Sequence, residues 1–396
     1  MQGSTGAERA PRRGRWRRVT PEPSEDVQRL EALGYAVGST DGGVGGVWSA
    51  PNAMPSGAAS FYTSGDHAGA RLEGLDGTVL HTWTLSWPDA TGESAKAYRG
   101  RPMAHTWRRA LLLPDGDVLA IYEGLGIARV SRDSKPRWVV ANGAHHDLQR
   151  RGDEVWLLTR EVVELPDLGL DGPVLEEFLV ALDLTTGKET YRTSLVRALH
   201  ESPWGPVTKP TDPKHAGDLL HTNSLEWLPA NAGASGVLLS LLARNELALF
   251  DPETRAFREV VSGDWARQHD PHWLGGGNVL LFDNQGAAPR SRVLTLNWPA
   301  GEILEQWSGP ADTPFYSHTC GTASPLPGGH MLVTESDAGR AYERNRQGDV
   351  IWRWTSPWRA GSEAQWTATL FEMQRLERLP TWLPHQATDV SQPVSP

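Results

Sequence analysis

A strand–turn–strand unit recurs along most of this chain, and that recurrence limits the fold more than any other feature. The first turn of the unit reads LPDGD at 113–117, RRGDE at 150–154, LGGGN at 274–278 and LPGGH at 326–330. Each is followed by an apolar run: VLAIY, VWLLT, VLLFD, MLVTE. A later turn reads GLDGTVLHTW at 74–83, LTTGKETY at 184–191, DPETRAFREV at 251–260, WPAGEILEQW at 298–307 and RQGDVIWRW at 346–354. Short glycine-containing turns between strand-forming runs are hairpin signals. Four strands per unit, at a period of roughly 40 to 50 residues, is the signature of a β-propeller. The pattern predicts an all-β, six-bladed propeller over 59–380, with units near 59–100, 101–144, 145–220, 221–268, 269–317 and 318–380. The run 367–379 (ATLFEMQRLERLP contains most of it) is a candidate for the strand that closes the ring on the first unit. The third unit is long. Its excess, about Ser194 to Leu220, holds a helical turn (SLVRALH) and must leave from a blade edge.

The ends read differently. Residues 1–23 are basic and lack an apolar stretch, so they read as a disordered tail rather than a secretory signal. A short helix is expected from Ser24 to Gly34, with Ser24 as N-cap and Val27, Leu30 and Leu33 on one face. The Gly/Ser/Pro-rich run 37–58 reads as a linker, and 381–396 as a C-terminal tail. The absence of a signal sequence makes a cytoplasmic protein the expectation, with a periplasmic one if translation starts further upstream. No window approaches eighteen consecutive apolar residues, so no membrane span is expected. With 38 Lys plus Arg against 48 Asp plus Glu the net charge is −10, and no basic stripe invites nucleic acid. A single cysteine, Cys320, excludes an intramolecular disulfide.

Histidines stand at the start of successive units: His105, His145 with His146, His221, His269 and His318. In a propeller the first strand of each blade is innermost, so equivalent positions converge on one axis although tens of residues separate them in sequence. Histidines at five such positions would form a ring. His67, His81, His200, His272, His330 and His385 fit no such register and read as satisfied polar or surface groups. An imidazole ring can bind a transition metal, or it can supply a nucleophile, a general base and anion ligands. Asn223 beside His221, and Arg244 at the end of the next strand, tilt the balance. A guanidinium suits a tetrahedral oxyanion and opposes a dication.

The order of these residues resembles the bacterial arylsulfate sulfotransferases, which are PAPS-independent six-bladed propellers. The resemblance spans roughly 60–380 and is carried by HTNSLEWLP (221–229), LLARNELALFD (241–251) and QHDPHWLGGGNVLLFDN (268–284). It implies a ping-pong transfer of a sulfuryl group from an aryl sulfate ester to a phenol, with no cofactor and only small-molecule partners. The sulfated histidine of the family falls on His269. Its anion ligands fall on His146 or His145, His221, Asn223 and Arg244, and a last-blade hydroxyl falls on Thr319. His318 and His105 complete the expected substrate-binding rim. Arg244 would lower the pKa of the nucleophile, and another ring histidine would protonate the leaving phenolate. Trp204, Trp265 and Trp273 are candidates for stacking an aromatic substrate, the last two also fitting a propeller core. Two features depart from the family's exported members, which carry a signal and a disulfide. Two alternatives follow from the same residues: a propeller holding a metal in its histidine ring, and a non-catalytic propeller that binds a partner or a small anion.

Overall fold

The computed structural model of the protein describes residues 16–18, 45–98, 102–210, 217–229, 232, 235–287, 290–360 and 366–383. Six antiparallel sheets follow one another as blades. Blade 2 is built from Arg109–Leu112, Val118–Tyr122, Gly126–Val130 and Pro136–Val140. The inner strands of blades 3 to 6 are Ala144–Arg151, Thr222–Trp227, His269–Gly275 and Thr322–Leu326. Blade 1 takes its inner strand from the other end of the chain: Leu370–Leu376 pairs antiparallel with Ala59–Ser64, Tyr62 opposite Met373. The ring is thus closed by the segment that the sequence suggested.

Six apolar clusters hold the ring together, one between each pair of neighbouring blades. Strand alternation explains this. Leu119 and Ile121 face blade 3, while Val118, Ala120 and Tyr122 face blade 1. Both faces of every central strand are covered, so the strands read as continuous apolar runs rather than alternating ones. Trp83, Trp107, Trp352 and Trp354 are fully buried in these seams. Truncating one to alanine would cost about 3–5 kcal/mol. The seams also carry a polar stitch. Asp147 of blade 3 accepts from Leu225 N–H of blade 4 at 2.8 Å, Ser224 of blade 4 accepts from Asp270 N–H of blade 5 at 3.2 Å, and Asp270 accepts from Ala323 N–H of blade 6 at 3.2 Å.

Blade 3 departs from the others in two ways. Its second and third strands, Glu154–Leu165 and Leu170–Asp183, run past the level of Ala144, which pairs with Thr159. Residues 160–176 therefore form an arm beyond the end of the blade that carries His145 and His146. The insertion after Ser194 then supplies the helix Leu195–His200, N-capped by the Ser194 hydroxyl. Its return packs on the arm, Leu175 N–H donating to Gly217 O at 2.7 Å. The helix was legible; the arm was not.

Three readings of the ends change. Trp16–Arg18, inside the expected tail, is a strand paired with Trp366–Ala368. Gly46–Ser49, inside the expected linker, is a fifth strand on the outer edge of blade 6, paired with Val350–Thr355. Backbone hydrogen bonds to an open edge outweigh the low strand propensity of glycine. Trp382, placed in the C-terminal tail, packs against Trp83 and His81. The expected helix 24–34 and the rest of both tails lie outside the described residues.

Candidate functional site at the hub

The head of the inner strand is bent in the same manner in three consecutive blades. The register shifts between His145 and Leu148, between Thr222 and Ser224, and between His269 and His272. At each bend a residue other than glycine adopts positive φ: His146 at 56°, His221 at 48° and Asp270 at 53°. Cys320, ahead of the blade 6 strand, does so at 58°. Such backbone costs about 1–3 kcal/mol per residue and concentrates at functional sites. The bend turns a side chain that would lie along the sheet toward the neighbouring blade. His146 and His221 meet edge to face, with ring centres 4.9 Å apart.

His269 is 6% exposed and its protonation pattern is fixed by its surroundings. Its Nδ1 lies 2.8 Å from Asn284 Oδ1 and 3.1 Å from Arg267 O. The Asn284 amide nitrogen donates to Ser317 O and Cys320 O, so its oxygen must face the ring. Both neighbours of Nδ1 are then acceptors. Nδ1 carries the hydrogen, and the Nε2 lone pair is left free. Burial, then the charge of Arg108, pulls the His269 pKa down to about 3. The imidazole is neutral at any ordinary pH, as a nucleophile requires.

His221 sits in a different environment. Its Nδ1 lies 2.5 Å from Asp218 Oδ2, and its side chain is 24% exposed. Asp218 thereby engages Nδ1 and leaves Nε2 as the other ring nitrogen. His146 donates its backbone N–H to Glu123 at 3.0 Å and lies with Nδ1 2.8 Å from His145 Nδ1. Burial first, and then neighbouring positive charge, holds His146 well below the ordinary imidazole range.

The remaining expected residues divide. His145 has no exposed surface, and burial brings its pKa down to about 3, so it supports His146 rather than meeting substrate. Asn223 donates to Gln268 O at 2.8 Å and so fixes the backbone next to His269. Arg244 is on the turn Leu242–Arg244, with Nε 2.6 Å and Nη2 3.3 Å from the Glu246 carboxylate. The guanidinium that depresses His269 is Arg108 instead. His105 sits on the short turn Pro102–His105, ahead of the blade 2 strand, and Arg108 immediately precedes that strand's first residue, Arg109. His318 contacts Gln285 at 2.7 Å and Tyr316 at 3.2 Å, and Thr319 donates to Asp337 at 3.2 Å. Trp204 packs against the apolar seam between blades 3 and 4, and Trp265 and Trp273 against that between blades 4 and 5. His272 lies inside the channel, paired with Asp270 at 3.1 Å and Glu226 at 3.2 Å. Sequence reasoning missed Arg108, Asp218, Glu123 and Asn284. The available signals were the Arg108–Arg109 doublet before a strand and the polar residues that close the second strands, as in VLAIYE and VLLFDN.

Beneath the histidines lies a layer of charge. Arg109 contacts Asp147 at 2.9 Å, Glu372 at 3.0 Å and Asp270 at 3.2 Å, joining blades 1, 2, 3 and 5. Burial raises Asp147, and raises Glu372 to about 7. This layer floors the site.

A family model described as Arylsulfotransferase (ASST) matches residues 109–357, more than half of the chain. No curated protein matches the sequence. Among solved structures, a protein of unknown function from Bacteroides caccae superposes with a TM-score of 0.50 at 12% identity, covering 80% of this chain and 98% of that one. Streptogramin B lyase gives 0.45 at 10% identity, covering 83% and 97%, and the WD40 β-propeller domain of Doa1 gives 0.45 at 11%, covering 80% and 87%. Among the described residues, no helix is long and apolar enough to cross a membrane.

Proposed function

This chain belongs to the arylsulfotransferase family, and from that premise we propose that it passes a sulfuryl group from an aryl sulfate ester to a phenol through His269. The observation that carries the reading is the fixed tautomer of His269: a neutral, buried ring with Nδ1–H held by two carbonyl oxygens and Nε2 free. In the first displacement the Nε2 lone pair attacks sulfur and the sulfur–aryl oxygen bond breaks. The electron pair leaves with the aryl oxygen, which takes a proton from His221 Nε2. In the second, the acceptor phenol returns a proton to His221 as its oxygen attacks sulfur. The nitrogen–sulfur bond then breaks and its pair goes back to His269. Neither step needs a cofactor. The test is turnover of 4-nitrophenyl sulfate with a phenol acceptor; absence of turnover and of any His269 adduct with every aryl ester tried would remove the reading.

Asp218 acts in this scheme as a positioning residue. Asp218→Asn is expected to lower kcat by about 10²–10³-fold, the range of general acid catalysis. The loss should be larger for phenyl sulfate than for 4-nitrophenyl sulfate, whose leaving group needs less proton donation. Equal losses on the two donors would show that Asp218 serves the fold alone.

A second reading has its own observation. Glu123, His145 and His146 offer ligand atoms within 4.8 Å of one another, a set of the kind that holds a catalytic zinc with one position open. Against it, Arg160 already pairs with Glu123 at 3.1 Å, and Arg108 adds positive charge there. Elemental analysis of untagged protein decides: stoichiometric transition metal that is lost in His146→Ala would promote this reading over the first.

A further inference from the structure

We infer that Arg108 is the guanidinium that grips the oxygens of the transferred anion at the hub, an assignment that deepens the reading above and rests on it. Arg108 directly precedes Arg109, the first residue of the blade 2 inner strand, and donates its backbone N–H to Ile121 O on the next strand; consecutive residues of such extended chain point to opposite sides. Arg109 meets three carboxylates. Arg108 is 5% exposed, yet among the described residues its guanidinium has no carboxylate within 4 Å and no side-chain hydrogen bond, and the acid that feels its charge, Glu123, is paired with Arg160 instead. Its side chain lies over the face of Phe371, 5.5 Å from the ring centre. A guanidinium largely withdrawn from water without a bonded counter-charge is costly, and a bound anion offsets that cost.

Its neighbours identify which anion. Arg108 precedes Arg109, whose partners Asp147 and Asp270 directly follow His146 and His269, and the Arg108 backbone N–H donates to Ile121 O at 2.8 Å, two residues before Glu123; its charge accordingly acts on His269, His146 and Glu123. The other arginines near the hub are engaged: Arg160 with Glu123, Arg244 with Glu246, and Arg109 with its three acids. A planar fork of N–H donors suits two oxygens of a tetrahedral sulfate or sulfuryl group. The same charge keeps the nucleophile unprotonated, so one side chain serves both binding and attack. Arg108, rather than the neutralised Arg244, fills the role of cationic ligand.

The experiment uses the full chain. Sodium sulfate is titrated into wild type, Arg108→Gln and Arg108→Lys by calorimetry, and His269 adduct formation from 4-nitrophenyl sulfate is followed in a single turnover. Arg108→Gln is expected to bind sulfate at least tenfold more weakly. It should form adduct about 10²–10³-fold more slowly, as when one preorganised oxyanion donor is removed. Arg108→Lys should recover part of both, and neither variant should unfold more easily than wild type, because no ion pair is broken. Wild-type sulfate affinity and adduct rate in Arg108→Gln, or no sulfate binding by wild type, would overturn the inference. Sulfate binding that depends on Arg108, in a protein that forms no adduct, would uphold the anion grip and remove the transfer reading. Adduct formation that ignores Arg108 would do the reverse.

Discussion

Replacing His269 with alanine is expected to abolish both adduct formation and turnover, with a loss on the order of 10⁴-fold or more, because the covalent route has no second nucleophile. The prediction is sharper than a bare loss of activity. His269 gives up two hydrogen bonds at Nδ1 but lies at the head of its strand, so the blade should survive its removal. Sulfate affinity should also survive, since Arg108 and His221 remain. A variant that has lost turnover but still binds inorganic sulfate would separate chemistry from binding. One that retains turnover would return the protein to the class of non-catalytic binding propellers.

The second large effect concerns stability. Arg109→Met removes the one cation shared by Asp147, Asp270 and Glu372. Leaving buried carboxylates without a counter-charge typically costs about 3–5 kcal/mol, and here Asp147 and Glu372 lose their cation together while Asp270 keeps only His272. The deficit should depend on pH with a definite sign. Burial already raises Glu372 to about 7, above its ordinary 4.5, so the folded state takes up this proton before the unfolded chain does. Its contribution to stability therefore grows as pH falls from about 7 toward 4.5 and is lost as pH rises through 7. Without Arg109, Glu372 and Asp147 shift further up. The stability gap between Arg109→Met and wild type should accordingly be widest near pH 8 and narrow toward pH 5, as read from denaturant unfolding. A gap that is small, or flat across that range, would mean that the layer is not the floor of the site.

The contrast between adjacent residues shows where reading the sequence stops. The blade count, the closing strand at 370–376, and the positions of His146, His221 and His269 all follow from spacing, because hairpin turns and strand heads repeat at fixed intervals. Which member of an arginine doublet faces the acids does not follow from spacing, since alternation gives opposite directions without saying which is which. In the sequence Arg244 reads as the cation of the site from its place at the end of a strand, and Glu246, two residues on, does not enter that reading. The turn Leu242–Arg244 brings them together. Asp218 lay at the end of a Pro-rich insertion and carried no periodic signal. Trp204 looked accessible in that same insertion, but the arm of blade 3 gives the insertion an apolar surface to cover, and the indole goes there. The strands Trp16–Arg18 and Gly46–Ser49 depend on distant partners, which local composition does not report.

The central claim is a covalent one, and mass measures it directly. Intact protein exposed to 4-nitrophenyl sulfate should gain one SO3, peptide mapping should put the gain on His269, and addition of a phenol should remove it as the sulfated phenol appears. An unchanged mass while substrate turns over would contradict the account, and so would an SO3 carried by any other residue.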